Sequence, residues 1–159
     1  MIFVTVGTAN KGFDRLLREC DQIAQRTGLE FFAQTGSSEF KPQHLAYQAW
    51  LSRDEMQQYY QRASAFIVHG GFGTLSETLK LGKPIFVVPR RLEDSEAVNN
   101  QADLVIKLHS LGLIYHVDQL TQLEQVLLQP EAHQFQLNTL TSTIPSILES
   151  YVNQLVRHK

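Results

Sequence analysis

The chain alternates between short apolar runs and longer segments in which apolar residues recur every three or four positions. Residues Ile2 to Val6 form an apolar, β-branched run that ends at Gly7, a pattern typical of a strand buried on both faces. Similar runs occupy residues 30–34, 45–50, 65–68, 84–88 and 113–116, and helical patterns occupy residues 13–27, 53–62, 74–81, 95–110, 119–128 and 131–140. Because strands and helices alternate, we predict a Rossmann-like α/β fold with a doubly wound parallel sheet.

The last part of the chain has the clearest amphipathic pattern. Apolar residues from Ile144 to Val156 fall on one stripe at i, i+3, i+4 and i+7 spacing. We therefore predict a C-terminal amphipathic helix within a helical segment at residues 131–159, attached to a core at residues 1–130. Two roles stay open for the stripe, docking a partner polypeptide or packing on the chain's own sheet.

Composition narrows the class of protein. A length of 159 residues without a Pro, Gly or Ser linker predicts a single domain over residues 1–159, and a net charge of −2 disfavours nucleic acid as the main partner. The single cysteine, Cys20, excludes an internal disulfide and a cysteine zinc cluster. No apolar run reaches the roughly 20 residues of a membrane span, so we expect any membrane link to pass through a partner or a surface contact.

A glycine-rich segment directly follows the apolar run at residues 65–68. It holds Gly70, Gly71 and Gly73 between a predicted strand and a predicted helix. Glycines at such a junction let backbone approach a ligand closely, and the helix N-terminus offers free N–H groups to an anion. The spacing matches neither the Walker motif nor the dinucleotide fingerprint. A nucleotide diphosphate site and a simple tight turn are both compatible with the glycines alone.

Three polar side chains around these glycines favour the binding interpretation. His69 at the strand end is placed to donate toward a diphosphate, and Thr74 can cap the helix or donate to a phosphate oxygen. Glu77 lies about one turn further along the same face, where a carboxylate can accept hydrogen bonds from a ribose diol. The alternative is that Thr74 and Glu77 form a capping box only.

Two arginines follow the predicted strand at residues 84–88 and therefore lie at the ligand edge of the sheet. Arg90, and less so Arg91, can neutralise diphosphate charge in place of a metal ion. The alternative is a surface pair balanced by the acidic residues that follow, Glu93, Asp94 and Glu96. Because no Asp-x-Asp motif accompanies these acids, we predict no metal site.

The motifs in combination resemble a known family. The Trp50-Leu51 segment, the run from His69 to Leu79 and the stretch Gly82-Lys83-Pro84 resemble the donor-binding half of glycosyltransferases with the two-domain GT-B architecture. The opening Phe3-Val4-Thr5-Val6-Gly7-Thr8 resembles a narrower group, the cytosolic catalytic subunits of two-part GlcNAc transferases and similar bacterial exopolysaccharide subunits. This group belongs with glycosyltransferase family 28. The resemblance covers about residues 1–108.

The resemblance implies a role for each matching residue. It implies diphosphate binding by His69, Gly71, Gly73 and Thr74, in a segment to which Gly70 also belongs, ribose binding by Glu77, a uracil pocket at Trp50 and Leu51, phosphate or acceptor contacts from Gly7 and Thr8, and donor-sugar contacts from Asn100 and Gln101. Relatives commonly have His-Gln or Asp-Gln where this chain has Asn100-Gln101, which leaves the donor sugar open. They usually have Gln where this chain has Ala9-Asn10, which leaves the acceptor side open.

The implied function is that of half an enzyme. The resemblance implies an inverting transferase subunit that moves a hexose or GlcNAc from a UDP-sugar, its substrate, to a lipid-linked acceptor, without a cofactor. No catalytic base is identifiable, and one Rossmann-like domain is half of the architecture. We therefore expect a membrane-associated, acceptor-binding partner and a cytoplasmic chain held peripherally at the membrane. The alternatives are a regulatory nucleotide-sugar-binding subunit, a UDP-sugar epimerase-like protein and a flavodoxin-like binding module.

Overall fold

The computed structural model describes residues 1–91, 102–130, 133, 135 and 136. Strands and helices alternate through these residues as the apolar pattern predicts. The elements are β1 (Ile2–Thr5), α1 (Asp14–Thr27), β2 (Phe31–Gln34), β3 (Ala46–Gln48), α2 (Arg53–Arg62), β4 (Ala65–Val68), α3 (Phe72–Leu79), β5 (Ile85–Val87), α4 (Ala102–Ser110), β6 (Tyr115–His116), a 3-10 helix (Leu120–Gln122) and α5 (Leu123–Leu128).

The strands form one sheet in the order β3-β2-β1-β4-β5-β6, and every pair is parallel. The predicted Rossmann-like, doubly wound parallel sheet is therefore confirmed. Chain order reverses between β1 and β4, because the crossovers from these neighbouring strands lead away in opposite directions. Thr5 pairs with Val68 at the carboxyl ends of the two strands, so the loops that follow them diverge around a crevice, the usual ligand position in such sheets.

Two apolar layers cover the sheet. In β1, Val4 belongs to one layer and Phe3 to the other, which explains why the strand is apolar along its whole length. The first layer includes α1 and α5, and the second includes α2, α3 and α4. By contrast, β3 lies at the edge of the sheet and all of its residues are exposed. The core thus holds β1 and β4 rigidly at the centre, where the crevice opens.

Local signals fixed some element boundaries better than others. Helix α2 has the predicted bounds because Ser52 and Glu55 form a reciprocal capping box, with Ser52 Oγ 3.2 Å from Glu55 N and Glu55 Oε2 2.7 Å from Ser52 N. Helix α3 begins at Phe72, two residues before the predicted start, because Gly71 serves as its N-cap. The strands predicted at residues 45–50 and 113–116 are shorter, at 46–48 and 115–116.

Some predictions fall on residues that the structure does not describe. These are Asn100 and Gln101, the start of the helix predicted at 95–110, and all of the apolar stripe from Ile144 to Val156. The helical segment predicted at 131–159 is represented only by residues 133, 135 and 136, of which Phe135 packs edge-on against Phe86. Over the described ranges, no helix has both the length and the apolar character that a membrane crossing requires.

Candidate functional site

A cleft of about 540 Å³ opens at the carboxyl ends of β1 and β4. It brings together residues from five separate parts of the chain, including most of those that the sequence predicts for a binding site. The lining residues are Thr5, Gly7, Thr8, Ala9, Gln34, Trp50, Leu51, Met56, Tyr60, His69, Gly71, Gly73, Thr74 and Glu77. The predicted site residues Gly70 and Arg90 are not among them.

The ring of His69 is packed between two glycines at the floor of this cleft. A Cβ on Gly7 would overlap Nε2 of His69, and a Cβ on Gly71 would overlap Cε1 and lie 2.9 Å from Nε2. Gly7 also has a φ of 77°, which side chains other than glycine rarely adopt. The absence of two side chains thus lets the imidazole lie under the backbone of both loops, where it is only 9% exposed.

This environment keeps His69 neutral. Burial, and secondly the positive charge of Arg90, lower the pKa of His69 from 6.5 to about 4. Nε2 lies 3.4 Å from Thr74 Oγ1, and Nδ1 has no hydrogen-bond partner within the described part of the chain. A neutral imidazole carries one N–H donor and one acceptor. His69 can therefore donate to a bound anion near pH 7 without first taking up a proton.

The N-terminus of α3 forms the wall next to His69. The first backbone hydrogen bond of the helix runs from Leu75 N to Gly71 O, so the N–H groups of residues 72–74 have no partner within the helix. Among the described residues, no side chain caps this end, and Thr74 Oγ1 lies near His69 instead, so Thr74 and Glu77 do not form a capping box. A Cβ on Gly73 would have no described atom within 4 Å. The geometry suits an anion bound against backbone.

Glu77 lies one turn further along α3, at the rim of the cleft. Its carboxylate is about half exposed and pairs with Lys80 Nζ at 2.9 Å. Nearby, burial and secondly the charge of Glu77 raise the pKa of Tyr60 to about 12, so the phenol stays protonated. Glu77 presents a carboxylate acceptor at the cleft, which is the chemistry that binds a diol.

The opposite wall comes from the loop between β3 and α2. Trp50 is 51% exposed at the cleft, and Leu51 and Met56 line the wall beside it. Gln48 Nε2 donates to Trp50 O at 2.8 Å, which fixes the loop next to the capping box of α2. A half-exposed indole with aliphatic neighbours provides a flat apolar surface for a planar ring.

Sequence reasoning missed Gln34 and Thr5. The side chain of Gln34 is 4% exposed and lines the cleft at the end of β2, where Thr5 Oγ1 donates to its Oε1 at 2.7 Å. The signal available in the sequence was a lone amide at the end of an otherwise apolar strand, at the edge of the sheet where ligands bind. Its partners lie 15 to 29 residues away along the chain, so no local motif reveals them.

Arg90 follows β5, is buried, is not among the residues that line the cleft, and holds the loop after β1. Its Nη2 donates to Val6 O at 2.7 Å and its Nη1 to Gly12 O at 2.8 Å, while the guanidinium stacks over Phe13 at 4.8 Å. The charge still acts on His69, but a direct diphosphate contact from Arg90 stays a prediction.

A grouping of three or more His, Cys, Asp or Glu side chains suited to a metal ion does not occur among the described residues. The carboxylate nearest the cleft, Glu77, is paired with Lys80. The described lining residues supply hydrogen-bond donors, the carboxylate of Glu77 and an apolar wall.

Known proteins resemble this chain in sequence. Residues 1–153 match the glycosyltransferase family 28 C-terminal domain. The UDP-N-acetylglucosamine transferase subunit ALG13 of Mus musculus is 29% identical over 125 residues, and that of Homo sapiens is 28% identical over 127 residues. Each alignment covers 72% of this chain but only 10% and 11% of the relative, so the chain spans about a tenth of the length of these proteins.

Solved structures share the fold. The calicheamicin glycosyltransferase CalG4 matches with a TM-score of 0.68 at 19% identity over 94% of this chain and 38% of its own. MurG of Acinetobacter baumannii matches with a TM-score of 0.60 at 16% identity over 98% of this chain and 49% of its own. The UDP-GlcNAc 2-epimerase of Neisseria meningitidis matches with a TM-score of 0.60 at 12% identity over 98% of this chain and 43% of its own. The sequence match over residues 1–153 confirms the predicted family. This chain belongs to the glycosyltransferase family 28 C-terminal domain family.

Proposed function

We propose that the cleft binds a UDP-sugar and that this chain is the donor-binding, catalytic subunit of an inverting glycosyltransferase. The observation that carries the proposal is the set of chemical groups that line one cleft. An apolar wall at Trp50 and Leu51, the carboxylate of Glu77, and the amide N–H groups of α3 beside His69 all line the same cleft. A nucleoside diphosphate presents a planar base, a diol and an anion, which are the matching groups.

The proposed pose follows from these contacts. Uracil lies against Trp50 and Leu51, the ribose hydroxyls bind Glu77, and the diphosphate lies over Gly73 at the N-terminus of α3. When the bond to the sugar breaks, negative charge grows on the departing UDP. The helix N-terminus and the neutral N–H of His69 stabilise that charge, because both donors are already in place.

We propose that the negative charge of the diphosphate is neutralised without a metal ion. The dipole of α3 and the positive charge of Arg90 do so, and Arg90 acts through its field or by direct contact. Gly7, Gly70 and Thr8 complete the phosphate-facing backbone. We propose that Asn100 and Gln101 contact the donor sugar, a hexose or GlcNAc, because an amide side chain both donates and accepts hydrogen bonds.

We propose that a second, membrane-associated chain binds the acceptor, a lipid-linked saccharide. The curated relatives are named as subunits of a UDP-N-acetylglucosamine transferase. This name supports a partner that supplies the acceptor site, including the base that deprotonates the acceptor. The chain would then act in polysaccharide or glycan synthesis at the cytoplasmic face of a membrane.

Ligand binding by the full chain tests the donor site. Trp50 is the only tryptophan, so its fluorescence reports on the cleft directly. We expect UDP to bind without magnesium, and to bind more tightly than 2′-deoxy-UDP because Glu77 accepts from both ribose hydroxyls. Glu77→Ala should abolish that preference, whereas Lys80→Ala, which frees the carboxylate, should keep it. Equal affinities for the two nucleotides in the wild-type protein would contradict the ribose assignment.

Transfer assays test the enzymatic part. The chain co-purified with its partner should move labelled sugar from UDP-GlcNAc, UDP-galactose or UDP-glucose to a lipid fraction, with one donor preferred. Binding of UDP-sugars without transfer in the presence of the partner would contradict a catalytic role and leave a binding subunit.

A further inference from the structure

Gln34 connects two loops of the cleft through its side-chain amide. It stands at the carboxyl end of β2, between β1 and the edge strand β3. Oε1 accepts from Thr5 Oγ1 at 2.7 Å, while Nε2 donates to Ala49 O at 3.0 Å and to Gly7 O at 3.3 Å. All three partners belong to segments that form the cleft or lead directly into it.

A neutral amide side chain satisfies these three partners together. The carbonyls of Gly7 and Ala49 can only accept hydrogen bonds, so the group facing them must be the NH₂, which fixes the orientation of the amide. The Thr5 hydroxyl then donates to the remaining oxygen. A glutamate of the same length would place a carboxylate against two carbonyl oxygens, and a methionine would fill the space without any donor.

The two loops held by Gln34 serve different parts of the proposed ligand. Gly7 lies against the ring of His69 and begins the loop that faces the diphosphate. Ala49 directly precedes Trp50 and Leu51 on the base-binding wall. Backbone hydrogen bonds attach each loop to the end of β2 or to the residues just after it: Val6 N donates to Gln34 O at 3.2 Å, and Gly36 N donates to Ala49 O at 2.8 Å. The Gln34 side chain is a direct link between the two loops.

We infer that Gln34 is a positioning residue that sets the distance between the base-binding and diphosphate-binding loops, so that the cleft binds base and diphosphate of one nucleotide at the same time. The inference rests on the proposed function. It adds that affinity for UDP depends on the register between two loops as well as on the residues that touch the ligand. Uridine has no diphosphate, so in the proposed pose it contacts only the base-binding loop of these two loops, together with Glu77 on α3, and does not depend on that register.

The experiment compares uridine with UDP in Gln34 variants of the full chain, using Trp50 fluorescence. In Gln34→Met and Gln34→Glu we expect UDP affinity to fall at least about tenfold, which corresponds to about 1.4 kcal/mol, while uridine affinity changes far less. Thr35→Val is the matched control, because the neighbouring Thr35 is equally buried but its hydroxyl has no hydrogen-bond partner in the described structure. Urea unfolding of each variant corrects for any loss of folded protein.

The ratio of the two dissociation constants decides the outcome. A general structural role would weaken uridine and UDP by the same factor, and that result, or unchanged UDP affinity, would overturn the inference. The inference would also be overturned if Thr35→Val weakened UDP relative to uridine by the same factor as the Gln34 variants. If Gln34→Met does not fold, Thr5→Val gives the same comparison, because it removes the hydrogen bond to Gln34 Oε1 and the one that Thr5 Oγ1 accepts from Gly7 N. If the wild-type chain binds neither ligand, the proposed function itself fails, and the inference with it.

Discussion

Replacing Gly71 with alanine perturbs the packing around His69 at a single atom. The added Cβ would overlap Cε1 of the imidazole and lie 2.9 Å from Nε2 and 3.1 Å from Nδ1. Ordinary contacts between such atoms are about 3.5–4.0 Å. Either the buried ring or the start of α3 must therefore move by on the order of 1 Å. The ring has little room to do so, because Gly7 lies on its other side.

The expected cost follows from overpacking a closed site. Inserting a methyl group into a well-packed interior costs roughly 1–3 kcal/mol, so we expect Gly71→Ala to lower the free energy of unfolding by about 2 kcal/mol. Gly73→Ala is the matched control, since its Cβ meets nothing within 4 Å. Alanine is a better helix former than glycine, so this variant should be as stable as the wild type or more stable by about 0.5 kcal/mol.

Urea unfolding measures both variants, and a double-mutant cycle identifies the cause. With a slope of about 2 kcal/mol per molar urea, Gly71→Ala should move the midpoint down by about 1 M. In a His69→Ala background the ring is gone, so Gly71→Ala should then cost little. Equal midpoints for Gly71→Ala and Gly73→Ala, or an undiminished cost without the imidazole, would refute the packing of His69 between two glycines.

Three further predictions concern charge and burial. Because the pKa of His69 is lowered to about 4, the folded state binds fewer protons than the unfolded state below about pH 6.5. The wild type should therefore lose about 2 kcal/mol more free energy of unfolding than His69→Gln when the pH falls from about 7 to about 5. Parallel pH profiles of stability for the two proteins would contradict this. Arg90→Met should raise the pKa of His69 in an NMR titration, and an unchanged pKa would refute the electrostatic contact. Burial raises the pKa of the Cys20 thiol, so a thiol reagent should label it only as the chain unfolds; fast labelling of native protein would disprove its burial.

The fold was predictable because its strongest signals are local. Apolar runs marked the buried strands, and Ser52 with Glu55 marked the start of α2. The start of α3 was placed two residues late, since a glycine N-cap has no side-chain signature to distinguish it from a turn. The edge strand β3 and the short strand β6 were predicted too long, because the ends of such strands depend on pairing with neighbours.

The residues of the candidate site that lie together in one segment of the chain were predictable. Residues from His69 to Glu77 share one strand-to-helix junction, and the topology brings them to Gly7 and Trp50. Side-chain direction was harder. Arg90 stands at the right edge of the sheet, but it turns to the carbonyls of the first loop, which lie about 80 positions earlier in the chain. Gln34 was missed for the same reason, since its role depends on partners from other segments.

The most direct test of the donor site is a calorimetric titration of UDP into the wild-type chain and into Gly73→Ala, without magnesium. We predict that the wild type binds UDP. We also predict that Gly73→Ala, although fully folded, binds at least about tenfold more weakly, because its methyl group stands where the diphosphate approaches the N-terminus of α3. No binding by the wild type, or equal affinity in the two proteins, would contradict a diphosphate site at this helix.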